Sequence, residues 1–394
     1  MQPSNPPLNA EDAAHGRPPT VLQVLPALET GGVEQGTVDV AVATAQAGWR
    51  ALVASAGGPK VYGIERAGGQ HITLPLDTKN PLKIWRNAAR LAAVIEREQV
   101  DIVHARSRAP AWSAYLAARR TGVQFLTTFH GTYNFQGGLK RRYNAVMAKG
   151  ARVIAISRFI AEHLKRHYAV PESRIRVVQR GIDLRHFDPD GVAPERMIRL
   201  AHGWQLPDGV PVVMLPGRLT RWKGQLVLID ALARITDRDF ICLLVGSDQG
   251  RTGYRDELTE RVRARGLESR VFIRDDCADM PACYMLADVV VSASTDPEAF
   301  GRIAAEAQAM GRPLVASAHG GVPEQVIDGE TAFLVTPGDD AALADGVARA
   351  LDLGTEARAA MATAARAQAR QFSKERMCAD TLAVYEELLG WRPE

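Results

Sequence analysis

Residues 211–232 read PVVMLPGRLTRWKGQLVLIDAL. The stretch begins with an unbroken apolar run, Pro211–Leu215. It then turns through Gly217 with three cations, Arg218, Arg221 and Lys223, and continues from Gly224 to Ile235 with apolar residues at helical spacing. A run that is apolar throughout, with no polar alternation, marks a strand covered on both faces, as in a parallel sheet. Strand, short loop and helix together make a βα unit.

The same unit repeats in both directions. Downstream, strands are predicted at Phe240–Gly246, Val271–Ile273, Asp288–Ser292, Leu314–Ser317 and Ala332–Val335. A helix at Gly253–Gly266 lies among them, and 339–389 is helical and Ala-rich. Upstream, strands are predicted at Val21–Leu28, Trp49–Ala56, Asp101–Ala105, Gln124–His130 and Arg152–Ser157. Helices fall at Val33–Gly48, at Pro81 to about Glu98 behind an Asn80 cap, and near 109–120, 138–150 and 157–168. The rhythm pauses over 181–209, punctuated by Gly181, Pro189, Gly191, Pro194, Pro207 and Gly209, with one short helix near 195–202. The expected fold is therefore α/β, two Rossmann-like doubly wound domains facing a central cleft, with their βα loops turned towards it. The division expected is a loose tail over 1–19, an N-terminal domain over 20–190 and a C-terminal domain over 191–372.

Composition narrows the class. Of 394 residues, 46% are hydrophobic and 24% charged, enough apolar material for two cores. A net charge of +3 argues against a nucleic-acid partner. No apolar run approaches the ~18 residues of a membrane span. The polar, Pro-rich first 19 residues contain no apolar signal segment, so a cytoplasmic location is expected. Cys242, Cys277, Cys283 and Cys378 form no CxxC pair and read as reduced thiols. The charge is uneven: residues 1–190 carry +10 and 191–394 carry −7. The basic half includes Lys140, Arg141, Arg142, Arg158, Lys165, Arg166, Arg174, Arg176 and Arg180. These are either a solvated face or an attraction to an anionic acceptor or to acidic lipid at the inner face of a membrane.

Four motifs carry chemistry. Thr30-Gly31-Gly32-Val33-Glu34 is a glycine turn opening a helix, whose amides suit an anion. It is not GxGxxG and no acid follows at the ribose position, which disfavours a nicotinamide dinucleotide and an oxidoreductase. Pro216–Gln225 sets Arg218 and Lys223 before a helix start, a diphosphate site built without metal. In Ser294–Glu306, Glu298 lies in a loop and Glu306 is expected about two turns into a helix opened by the amides of Phe300 and Gly301. Carboxylates accept the paired hydroxyls of a diol, and helix-start amides accept phosphate. The ligand asked for is both polyol and anion. Gly320-Gly321-Val322-Pro323-Glu324 is a second glycine turn expected to open a helix. His130 ends a strand in a Phe-His-Gly setting and reads as either a core histidine or a site residue, with the strand end favouring the site. His104 is open between the two.

The ordered set Gly31-Gly32, Thr128-Phe129-His130-Gly131, Ser157-Arg158-Phe159-Ile160, Arg180-Gly181-Ile182-Asp183, Gly217-Arg218 to Lys223-Gly224, Glu298 to Glu306 and Gly320–Glu324 resembles the retaining GT-B glycosyltransferases of family four, over about 20–390. The resemblance implies a nucleotide-sugar donor held mainly by the second domain. It makes Arg218 and Lys223 the diphosphate pair, Glu298 the contact to donor sugar hydroxyls and Glu306 the ribose acid. The amides of Phe300 and Gly301 lie near the donor, His130 faces its sugar and Gly32 approaches phosphates and acceptor. It places Phe272–Arg274 in the loop that meets the nucleobase, and sends the last helix, about 373–389, back onto the first domain. Arg302 stands where an apolar residue is common and either adds charge near the donor or points to solvent. Arg274 stands where Gly is frequent.

The expected activity is transfer of a sugar to a hydroxyl acceptor. The acceptor expected is a glycan or lipid-linked glycan of the cell envelope, as in lipopolysaccharide or polysaccharide biosynthesis, with possible contact to an acidic membrane surface. No aspartate-rich metal loop is present in the right setting, so no metal and no cofactor are expected. The alternatives are a nucleotide-sugar 2-epimerase of the same architecture and a non-catalytic sugar-nucleotide-binding protein.

Overall fold

The computed structural model describes residues 17–29, 31–133, 137–250 and 252–390. Most of the expected tail, up to residue 16, lies outside the described residues, as does Thr30 of the first glycine motif. The chain divides into two compact units: residues up to Gln179 together with those from Lys374 on, and Arg180–Ser373.

In the first unit the order is β1 (Thr20–Val24), α1 (Gly32–Gln46), β2 (Arg50–Ser55), α2 (Val61–Arg66), β3 (Gln70–Thr73), α3 (Pro81–Glu98), β4 (Ile102–Ala105), α4 (Arg108–Thr121), β5 (Gln124–Phe129), α5 (Gly138–Asn144), β6 (Arg152–Ala155), α6 (Arg158–Tyr168) and β7 (Ile175–Val177). Among the described residues these strands make a seven-stranded parallel sheet ordered β3-β2-β1-β4-β5-β6-β7. The second unit runs α7 (Pro194–Trp204), β8 (Val212–Pro216), α8 (Gln225–Leu232), β9 (Ile241–Val245), α9 (Thr252–Ala264), β10 (Val271–Arg274), α10 (Met280–Leu286), β11 (Val289–Ser292), α11 (Arg302–Ala309), β12 (Leu314–Ser317), β13 (Phe333–Val335), α12 (Asp340–Leu351) and α13 (Thr355–Ala369). Its six described strands are parallel and ordered β10-β9-β8-β11-β12-β13. α14 (Lys374–Leu389) belongs to the first unit.

The central strands are buried along their length, as their apolar runs require. The elements absent from the sequence reading are β3 (QHIT), β7 (IRV) and the short helices α2 and α10. Both strands lie at sheet edges, are half exposed, and so lack a continuous apolar run. β7 also moves the unit boundary from 190 to 179, because the chain leaves the first unit as soon as that strand ends. All four cysteines are free thiols, and only Cys277 is not fully buried. Among the described residues no helix is long and apolar enough to cross a membrane.

α14 is part of the first unit's core. Met377, Cys378, Val384 and Tyr385 pack with Val21, Trp49, Ile102, Leu126 and Ile154 of the helix and sheet beneath. At its far end Glu387 takes Arg152 at 2.7 Å and Arg176 at 2.5 Å. Between them lies His104, fully buried, with Nδ1 2.8 Å from the Tyr385 hydroxyl and Nε2 2.7 Å from Thr128 Oγ1. That settles His104 as a structural link between sheet and helix.

Burial holds the His104 imidazole well below 6.5, and burial with the neighbouring His167 pushes His163 down to about 4. Below about pH 6.5 the unfolded chain takes up protons that the fold refuses, so this stability is fully present above 6.5 and is lost as pH falls. Each such group contributes a slope of about 1.4 kcal/mol per pH unit. His104→Gln is expected to remove one group's share of that slope between pH 6.5 and 5.5, read from urea unfolding midpoints. An unchanged slope would show that His104 is not buried neutral.

Candidate active site

β8 and β11 flank the point where the second sheet reverses its strand order, and ligands of such sheets sit beyond the strand ends there. Beyond β8 the chain makes one tight turn over Arg221–Lys223 and enters α8 through Gly224, whose φ of 75° lies in the left-handed region. A Cβ at Gly224 would run into the Ala293 carbonyl, just past β11. The Thr295 amide donates to the Trp222 carbonyl at 2.8 Å. The two loops are thus packed backbone to backbone, which brings Lys223 to Glu298.

Lys223 Nζ lies 2.7 Å from Glu298 Oε1, and each side chain is only 10% exposed. The ammonium also lies 4.6 Å from the Trp222 ring centroid. The same carboxylate oxygen accepts from Ser294 Oγ at 2.6 Å. The His319 ring is 2.8 Å from the Ser294 carbonyl. Behind them the Gly321 amide donates to the Glu298 carbonyl at 2.8 Å. Gly320, at φ 67°, passes so close that a Cβ would overlap the Glu298 backbone. The third and fourth sequence motifs therefore form one site. Gly320-Gly321 opens a single turn, Val322–Glu324, where a helix was expected. The reverse turn at Asp328–Ala332 follows too soon for more.

Glu306 is the fifth residue of α11, one turn in where two were expected, because the helix begins at Arg302 rather than at Phe300. Its Oε2 accepts from the Tyr284 hydroxyl at 2.8 Å, and its Oε1 pairs with Arg302 Nη2 at 2.7 Å. Burial and the adjacent carboxylate push the Tyr284 phenol well above its usual range, so it stays a donor. Arg302 sits one turn before Glu306 and turns to it. The amides of Phe300 and Gly301, ahead of the helix, donate to no described residue, while Gln325 Nε2 takes the Phe300 carbonyl.

Arg218 is exposed beside this group and makes no ion pair among the described residues; its carbonyl is held by Gln225 Nε2 at 2.9 Å. Arg221 is drawn off to Glu257 at 2.5 Å and over the Tyr254 ring. Arg274 ends strand β10 where a loop was expected. Its Nη2 donates to the Trp204 carbonyl at 3.0 Å and its guanidinium lies over Phe272. Gly32 and His130 belong to the first unit. Gly32 is the first residue of α1. His130 follows β5, and its amide lies 3.4 Å from the hydroxyl of Tyr133, a phenol that burial pushes up to about 12. Tyr284, Ser294, His319 and Trp222 were given no role in the sequence reading. A lone Tyr in an apolar stretch reads as core, and only contact with Glu306 shows otherwise. Among the described residues no three His, Cys, Asp or Glu side chains gather to hold a metal.

Known proteins match this architecture over most of its length. Residues 30–186 match the model for Glycosyltransferase Family 4 and residues 200–368 that for Glycosyl transferases group 1. A D-inositol 3-phosphate glycosyltransferase of Xylanimonas cellulosilytica is 33% identical over 74% of this chain and 73% of its own. The chain is a family four, group 1 glycosyltransferase. A glycosyltransferase crystal structure from Rickettsia africae superposes with a TM-score of 0.87 at 38% identity, over 94% of this chain and 99% of that one. The Anabaena HepE complex with UDP-glucose superposes at 0.79 and 26% identity, over 93% and 99%. The fold of this glycosyltransferase is accordingly GT-B, two Rossmann-like parallel-sheet domains. Nothing in these likenesses supports the 2-epimerase alternative.

Tyr284→Phe leaves Glu306 Oε2 without its buried donor. The glycosyltransferase is expected to lose about 1–3 kcal/mol of stability in denaturant titration. No loss would mean that the hydroxyl carries no weight in holding Glu306.

Proposed function

We propose that the glycosyltransferase moves a hexosyl group from a nucleotide-diphosphate sugar, held by Arg180–Ser373, to a hydroxyl acceptor held by the other unit, with retention at the anomeric carbon and without a divalent metal. The observation that carries this is the Lys223–Glu298 pair at the switch point of the second sheet. While the site is empty each charge compensates the other, which spares the fold an unpaired buried charge. When donor binds, both exchange partners. Lys223, with Arg218 and the amides of Phe300 and Gly301, takes the diphosphate, and Glu298 takes sugar hydroxyls. Glu306, fixed by Tyr284, takes the ribose diol, with Arg302 beside it and Arg274 towards the base. The likeness to HepE, crystallised with UDP and with UDP-glucose, supports a nucleotide-sugar donor.

The bond between the anomeric carbon and the phosphate oxygen breaks with its electron pair going to that oxygen. The growing charge meets Lys223 and Arg218, already in place. The acceptor oxygen adds to the same face of the short-lived oxocarbenium ion and releases its proton to the departing phosphate oxygen. No second carboxylate is needed as nucleophile, unlike in the retaining glycosidases.

For the acceptor we favour a glycan or lipid-linked glycan of the cell envelope, met at an acidic membrane surface. α3 supports this: Leu82 and Trp85 are 73% and 69% exposed beside exposed Lys79, Lys83 and Arg86. Apolar side chains ringed by cations are what an anionic interface binds. The name of the curated relatives favours a second acceptor, a small phosphorylated polyol.

Lys223→Ala is expected to reduce turnover about 100-fold or more, with EDTA leaving the native enzyme unaffected. Near-normal turnover would remove Lys223 from catalysis, and EDTA inhibition would overturn metal independence. The protein is expected to sediment with phosphatidylglycerol/phosphatidylcholine vesicles, and the Leu82→Ser, Trp85→Ser double variant to stay in solution. Equal sedimentation of both removes α3 as the contact.

A further inference from the structure

The first sheet also reverses its strand order, between β1 and β4. At the corresponding point of the second sheet stand Lys223 and Glu298. Here stand the Gly31-Gly32 turn beyond β1 and, directly beyond β4, Arg106, whose amide donates to the Val24 carbonyl at 2.9 Å. Arg106 is 4% exposed. Among the described residues Arg106 and Lys223 are the two buried cationic side chains of Lys or Arg type. Lys223 has its carboxylate. The guanidinium of Arg106 makes no hydrogen bond or ion pair with any described residue, and its Nε is buried without an acceptor.

No described group around it pairs with it directly. Asp39 of α1 is the acid it feels, and Asp39 Oδ1 accepts from Gln35 Nε2 at 2.9 Å. The other neighbours are the Tyr385 phenol and the Cys378 thiol, both kept protonated by burial. A guanidinium buried without a paired counter-charge costs several kcal/mol, and an anionic ligand would supply the missing partner.

We infer that Arg106 is an anion subsite of the first unit that grips a phosphate group carried by the acceptor. This rests on the glycosyltransferase reading, which gives the donor's diphosphate to the other unit and leaves this one to the acceptor. A planar guanidinium fork takes two phosphate oxygens at once.

The test is the melting temperature of the full chain in rising inorganic phosphate, against sodium chloride of equal ionic strength. Wild type is expected to be stabilised by phosphate beyond chloride. Arg106→Met is expected to melt higher than wild type in chloride, having lost an unpaired buried charge, and to respond to phosphate only through the donor cations. Lys223→Met is expected to keep the Arg106 share of the response. Three results would overturn the subsite: no response in wild type, a response lost in Lys223→Met but kept in Arg106→Met, or an Arg106→Met that melts lower in chloride and responds as fully as wild type. If Arg106→Met does not fold, Arg106→Lys, which keeps the charge and loses the fork, should need at least about fivefold more phosphate for half the shift. An equal requirement would overturn the proposal.

Two further probes locate the phosphate. An Arg106-dependent shift at lower concentrations of D-inositol 3-phosphate than of inorganic phosphate identifies a soluble phosphomonoester. One given by phosphatidylglycerol vesicles identifies a lipid phosphate. A response to neither refutes the acceptor assignment. Whether UDP shifts wild type and Arg106→Met alike reports on the donor reading alone, so the two ideas fail separately.

Discussion

A lysine ammonium and a glutamate carboxylate, withdrawn from water together at the edge of a parallel sheet, set the terms for the rest of the second unit. Neither can be there alone, because an isolated charge so little exposed would outweigh what a few buried side chains contribute. They meet because the loops after β8 and β11 touch through their backbones, and that approach depends on Gly224 having no side chain to strike the Ala293 carbonyl. Gly320 does the same behind Glu298. Ser294, His319 and the Trp222 ring then hold the pair in one arrangement.

Glu306 shows the same economy one helix turn away. Tyr284 and Arg302 each engage one of its oxygens, the first from the core and the second from the surface. The arginine is nearly half exposed at the surface, while the tyrosine is fully buried beneath the carboxylate. The two carboxylates are therefore held differently: Glu298 by a buried cation, Glu306 by a buried neutral donor with a cation at the surface.

The first unit is organised around α14, which returns from the far end of the chain to fill its core. The His104 ring spans Thr128 and Tyr385, and Glu387 gathers Arg152 and Arg176. Much of the basic character of the N-terminal half is spent in such contacts. Arg174, for example, turns to the carbonyls of Ala148 and Gly150. Left over at the surface are the cations beside α3 together with others such as Arg120, Lys140 and Arg142, and left over inside is Arg106.

The central strands, the helix after each and the repeat of the pattern were legible in the sequence because a strand buried on both faces must be apolar at every position. The glycine turns and the acid and base types of the motifs were legible for the same kind of local reason. The edge strands β3 and β7 were not, since half-exposed strands carry no such run, and the unit boundary moved with β7. The tertiary structure alone decided which cation meets which acid. Lys223 and Glu298 lie 75 residues apart and meet only through the order of the strands. Arg221, two residues before Lys223, goes elsewhere, Tyr284 becomes the holder of Glu306 and His104 a core link. Local sequence fixes what each residue is able to do, and the register of distant strands fixes which partner lies within the 3 Å where it does it.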